Sequence, residues 1–127
     1  MRHGRTFNHL GRDKDARKAL LLCLTKSLIM NKYIFTTVAK AKALRKFIEP
    51  ILTKSKDKSM NSRRNVFATI HDKSVVKELF DNISNVIASR PGGYCSIIKV
   101  PERPGDNASM AFMCLVDFKD TISTTER

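Results

Sequence analysis

The hydrophobic pattern changes character at Arg90-Pro91-Gly92-Gly93, and that change limits the possible folds more than any other feature. Upstream of it, apolar residues recur mostly at helical spacing. Downstream of it, two β-prone runs, Tyr94 to Val100 and Met110 to Phe118, flank Pro104-Gly105-Asp106-Asn107, a strong turn signal. The two runs predict an antiparallel hairpin, and a chain of 127 residues fits a single domain around one core.

The upstream half divides into several helices. Asp13 reads as an N-cap, with Asp15 in the first turn, for a helix from Lys14 to Asn31 buried on Ala16, Leu20, Cys23, Leu24 and Leu28. Tyr33 to Thr36 is a short β-prone segment that can add to the hairpin as a third strand. Val38 to Lys54 predicts a second helix on Leu44, Phe47, Ile48, Ile51 and Leu52, with a kink or break at Pro50. Met60 to Ile70 predicts a third, with Val66, Phe67 and Ile70 inward and His71 ending it. Asp72 caps a fourth from Ser74 to Asn82, with one more turn at Ser84 to Ala88. These elements predict an α+β fold in two layers, about four helices packed on a small three-stranded mixed sheet, with a basic N-terminal extension. The expected division is an extension at 1–12, a single α/β domain at 13–120 and a flexible tail at 121–127.

Charge points to the partner. The net charge is +12 and the pI about 10.0. Residues 1–56 carry fourteen Lys and Arg against Asp13, Asp15 and Glu49, for +11, whereas residues 57–127 carry ten against nine. Excess charge gathered in one half reads as a polyanion binder, because cations replacing condensed counterions along a phosphate backbone release them. Residues 1–12 contain Arg2, His3, Arg5, His9 and Arg12 with no acid, and only Phe7 and Leu10 could enter a core. Such a segment is expected to become ordered on its partner. Arg17 and Lys18 follow it. Lys40, Lys42, Arg45 and Lys46 spread over the second helix and are expected on phosphates, as are Arg63, Arg64, Arg90 and Arg103.

Other chemistries have little support. His3, His9, His71 and the cysteines Cys23, Cys95 and Cys114 show no metal-ligand spacing. The cysteines read as core thiols of a reducing compartment, and no pair of carboxylates is spaced for acid–base work. The Gly-Gly of the Arg90 segment reads as a turn requiring positive φ, not as a nucleotide-binding loop. The longest apolar stretch, Ala19 to Met30, is broken by Thr25, Lys26 and Ser27, so it cannot span a bilayer, and a cytosolic protein is expected. No enzyme, cofactor, membrane or small-molecule substrate is expected.

An ordered series of words goes further. Met1-Arg2-His3 opens the chain, then come Ala39-Lys40-Ala41-Lys42-Ala43-Leu44-Arg45, Glu49-Pro50 and Arg63-Arg64. Arg90-Pro91-Gly92-Gly93-Tyr94, Arg103-Pro104-Gly105-Asp106-Asn107-Ala108-Ser109-Met110-Ala111 and Leu115-Val116-Asp117 follow. This series closely resembles the seventeenth large-subunit ribosomal protein family of bacteria, from Met1 to about Asp120. The resemblance implies a structural constituent of the large subunit, located in the cytoplasm within the ribosome and supporting assembly and translation. It implies binding to large-subunit ribosomal RNA beside other ribosomal proteins near the exit of the nascent-chain tunnel. It brings no catalytic residues and no cofactor, and it makes Arg2, His3, Arg5, His9 and Arg12 the deepest RNA contacts.

Overall fold

A computed structural model describes residues 3, 4 and 6–120. The first helix, α1, spans Lys14–Asn31, and Asp13 caps it by accepting from the Ala16 amide at 2.9 Å. It ends at Lys32, whose backbone turns left-handed at φ 71° and whose amide donates to the Leu28 carbonyl. The buried stripe of α1 shares Leu24 and Leu28 with the expected one but is rotated away from Ala16 and Cys23. Leu28 and Ile29 are fully buried, Leu21 and Leu24 pack beside the core, and Thr25 is buried between them. Ala16 and Cys23 are exposed. The run Ala19 to Leu24 is apolar nearly all round, so it accommodates either of two neighbouring stripes. Thr25 makes the observed one acceptable, because its hydroxyl donates to the Leu21 carbonyl at 2.8 Å and enters the core satisfied.

Strand β1 (Tyr33–Thr37) leads into α2 (Val38–Ser55). Of the kink or break expected at Pro50, the break does not occur: α2 continues through it as one helical segment. Pro50 is exposed, while Ile48, Ile51 and Leu52 around it are buried. Packing therefore keeps both turns helical against the local cost of a missing amide donor. Helix α3 (Met60–Ile70) is capped by Ser59 and ends at His71, in the left-handed region at φ 58°. Val66 and Ile70 are buried, but Phe67 is exposed, its ring edge-on to His71.

The last helical rod covers nearly the expected span, from Lys73 to Ile87, but as three joined parts. Asp72 accepts from the Ser74 and Val75 amides and starts α4 (Lys73–Glu78). A π-helical turn follows at Leu79–Ile83, then α5 (Ser84–Ile87). The π-turn lets Leu79, Phe80 and Ile83 all reach the core, each fully buried. Side chains attend its carbonyls: Ser84 Oγ donates to Phe80 O at 2.7 Å, and Lys58 Nζ donates to the same oxygen at 2.6 Å.

Gly93, at φ 64°, turns the chain into β2 (Cys95–Val100), and β3 (Met110–Leu115) follows. The hairpin forms as expected, with Cys95 opposite Leu115 and Val100 opposite Met110. β1 joins it with Tyr33 opposite Cys114 and Thr37 opposite Met110. The order is β1-β3-β2 and both pairings are antiparallel, so the sheet is not the mixed one expected. β1 and β2 do run parallel to each other, but β3 lies between them. β3 ends at Leu115 and not at Phe118, giving way to a 3-10 turn at Val116–Phe118.

The helices cover one face of the sheet, burying Ile34, Ala111, Met113 and Leu115 against Leu44, Ile48, Phe80 and Ile87. On the other face Tyr33, Phe35 and Phe112 form a cluster of rings, with centroids 5.0 Å apart for Phe35 and Phe112. That face stays open: Phe35 is 59% exposed and Ile98 47%. The expected tail at 121–127 lies outside the described residues.

Candidate nucleic-acid interface

Several of the basic residues expected on RNA fall into two groups. The first gathers where α1, the start of α2 and the N-terminal segment meet. Arg17 lies on the first half of α1; Lys42 and Lys46 lie on α2 one turn apart. All three line one groove, whose apolar floor includes Leu21, Val38, Ala43 and Phe47. The N-terminal segment forms its outer wall through Phe7 and Asn8. Arg17 places its guanidinium 5.0 Å from the centre of the Phe7 ring, and Phe7 stacks on His9 at 5.0 Å with the rings 1° from parallel. Lys46 Nζ donates to the Thr6 carbonyl at 3.1 Å. Arg12 donates to the Leu10 carbonyl at 2.9 Å, and Arg17 reaches the Arg12 carbonyl at 3.5 Å.

Lys18 and Arg45 are exposed on their helices, Lys40 is partly buried in the first turn of α2, and His3 is exposed. Arg2 and Arg5 lie outside the described residues. Arg64 is exposed on α3. Arg63 beside it lies 4.9 Å above the Phe80 ring and 3.4 Å from Asp81. Arg63 thus helps cover the π-turn.

The second group is engaged within the protein. Arg90 forks onto Asp117, which raises the guanidinium pKa. Arg103 forks onto Asp106 across the hairpin turn at 3.1 and 2.6 Å, holding the Asp106 carboxyl down to about 2. Both arginines are partly exposed but are oriented by these carboxylates. Lys56 and Lys58 are spent similarly. Lys56 donates to the Arg90 carbonyl and lies 4.9 Å from the Tyr94 ring, and Lys58 holds Phe80 O, Ser84 and Asn85.

Glu49, which sequence gave no individual role, receives the Tyr94 amide at 3.3 Å and the Cys95 amide at 3.1 Å. It fixes the start of β2 against α2. Burial, and then the nearby Glu49, push the Cys95 thiol pKa up, and burial raises that of Cys114. Neither is poised as a nucleophile. Ala39, Ala43 and Phe47 also line this groove, though the sequence placed Phe47 only on the buried stripe of α2 and assigned Ala39 and Ala43 no role of their own. The available signal was two small residues one turn apart, Ala39 and Ala43, flanking Lys40 and Lys42.

Among the described residues, no helix is long and apolar enough to cross a membrane, and no group of three His, Cys, Asp or Glu could hold a metal.

Comparison with known proteins matches residues 20–116 to the family described as Ribosomal protein L17. The chain is 55% identical over 125 residues to Large ribosomal subunit protein bL17 of Phocaeicola vulgatus, spanning 98% of this chain and 77% of that relative. It is 55% identical over 123 residues to the protein of that name from Bacteroides fragilis, spanning 97% and 76%. Against that of Amoebophilus asiaticus it is 57% identical over 118 residues, spanning 93% and 61%. By the family match and by these relatives, the chain belongs to the Ribosomal protein L17 family.

Proposed function

We propose that the protein is a structural constituent of the bacterial large ribosomal subunit, binding large-subunit ribosomal RNA and supporting assembly and translation, and that it is not an enzyme. The observation that carries this is its relatedness: proteins named for the large subunit align with nearly the whole chain. The charge distribution supports it, with Arg17, Lys42 and Lys46 brought to one groove by folding. The function places the protein in the cytoplasmic ribosome.

In the same proposal, residues 1–12 are a basic extension ordered along RNA, 13–120 the RNA-binding domain and 121–127 a flexible tail. Arg2, His3, Arg5, His9 and Arg12 make the deepest contacts. Arg17, Lys18, Lys40, Lys42, Arg45, Lys46 and Arg64 contact phosphates, with Arg63, Arg90 and Arg103 at the periphery because each also holds a carboxylate. Neighbouring large-subunit proteins near the tunnel exit are the expected protein partners, on the strength of the family resemblance.

The test is sedimentation of the untagged protein from a native lysate, with subunits separated at low magnesium and washed in high salt. Retention on the large subunit is expected. Contacts to roughly six to ten phosphates alone would lose about a thousand-fold or more in affinity over a modest salt rise. Loss to the top of the gradient would overturn the proposal in favour of a free nucleic-acid binder. Deleting residues 2–12 should impair incorporation while leaving the remaining domain folded.

A further inference from the structure

Arg17, Lys42 and Lys46 surround a cavity of about 800 Å³, and most of its lining is apolar. Phosphate contact accounts for the cations but not for the floor beneath them. A floor of Leu21, Val38, Ala43 and Phe47 favours a flat, weakly hydrated ring, whereas the rim favours an anion. Among the described residues, no acid lines the groove. One ligand chemistry satisfies both demands, a nucleobase joined to its phosphate.

The room comes from two residues of α2. Ala39 and Ala43 lie four apart, hence on one helix face, and both line the groove. The mouth also meets the first turn of α2. There Thr37 makes no side-chain capping bond and the turn holds no acid, while Asp13, Ser59 and Asp72 cap the other long helical segments. The positive end of α2 thus adds to the field of the three cations.

We propose that this groove is a subsite for one unpaired, unstacked nucleotide of the ribosomal RNA, with the base on Phe47 and Leu21 and its phosphates at Arg17, Lys42 and Lys46. The inference rests on the RNA-binding function proposed above and deepens it: at this place the protein reads a base as well as a backbone. Splayed bases laid on aromatic or guanidinium planes are the usual route to recognition of single-stranded RNA.

The experiment uses the full chain and two probes, a large-subunit ribosomal RNA transcript and heparin, a polyanion without bases. Ala39→Leu and Ala43→Leu fill the groove without changing charge. Each should weaken transcript binding roughly ten-fold at fixed salt, as loss of one stacked base would. The salt dependence and the heparin affinity should stay unchanged. Chemical probing should show an unpaired base protected by the parent chain and re-exposed with Ala43→Leu. Ala39 is exposed, so Ala39→Leu decides the matter even if Ala43→Leu folds poorly. Leucine variants that bind the transcript like the parent, or that lose transcript and heparin equally, would overturn the subsite and leave the RNA-binding function standing. A parent chain with no preference for transcript over heparin would overturn both.

Discussion

Arg90 and Asp117 meet fork to fork, Nε to Oδ2 at 3.1 Å and Nη2 to Oδ1 at 3.0 Å, joining the end of the last helical rod to the turn after β3. The pair is partly exposed, so its strength lies in its two-bond geometry more than in its charges. Asp117→Asn should cost about 1 kcal/mol of stability in a denaturant melt. Affinity for the ribosomal RNA transcript should hold. A large loss of RNA affinity at unchanged stability would instead give Asp117 a part in binding.

Lys32 Nζ donates to Glu78 at 2.6 Å, and this bond, with help from Asn82, holds the Glu78 carboxyl below the usual range. The carboxylate ionises more readily folded than unfolded. Its stabilisation is therefore complete above the ordinary glutamate value of about 4.3 and is lost as pH falls through the lower folded value. Glu78→Gln should be less stable than the parent at neutral pH, with the gap closing in acid. Urea midpoints measured down the pH scale provide the check, and a gap constant with pH would refute the assignment.

The three cysteines should separate by reactivity. Cys23 is exposed on α1, while Cys95 and Cys114 are buried with raised pKa values. A thiol reagent added to the native chain should label Cys23 promptly and the other two only on unfolding. Two or three fast thiols would mean that the sheet opens readily.

Lys58 and Lys42 carry the same charge and should behave oppositely. Lys58 Nζ donates to the Phe80 carbonyl, Ser84 and Asn85, whereas Lys42 is exposed beside the groove. Lys58→Met should cost about 1–2 kcal/mol of stability with little change in RNA affinity. Lys42→Gln should leave the melt alone and reduce the salt dependence of RNA binding by nearly one unit of log–log slope. Equal effects of the two on RNA binding would contradict this division.

The element order was largely written in the chain because caps and turns are local chemistry. Asp13, Asp72 and Gly93 act within a few residues of themselves, and each works as its residue type suggests. Tertiary choices were less legible. The face of α1 depended on whether Thr25 could be buried, which its bond to Leu21 settles. Continuity of α2 through Pro50 depended on buried neighbours, and the π-turn on the fit of Phe80 and Ile83. At the candidate site, charge alone singled out Arg17, Lys42 and Lys46, but could not separate them from Arg90, whose carboxylate partner lies 27 residues away. The apolar floor was invisible for the same reason: α1 and α2 create it only by meeting.

The open ring face of the sheet matters most when the chain is alone. With a net charge of +12, free copies repel one another in dilute buffer. Concentrated salt shortens that repulsion to about 3 Å at 1 M. Phe35, Ile98 and the rings beside them then meet their counterparts on other copies with nothing holding them apart. Colloidal behaviour of the free chain should therefore run opposite to that of an ordinary salted-in protein: raising the ionic strength promotes self-association.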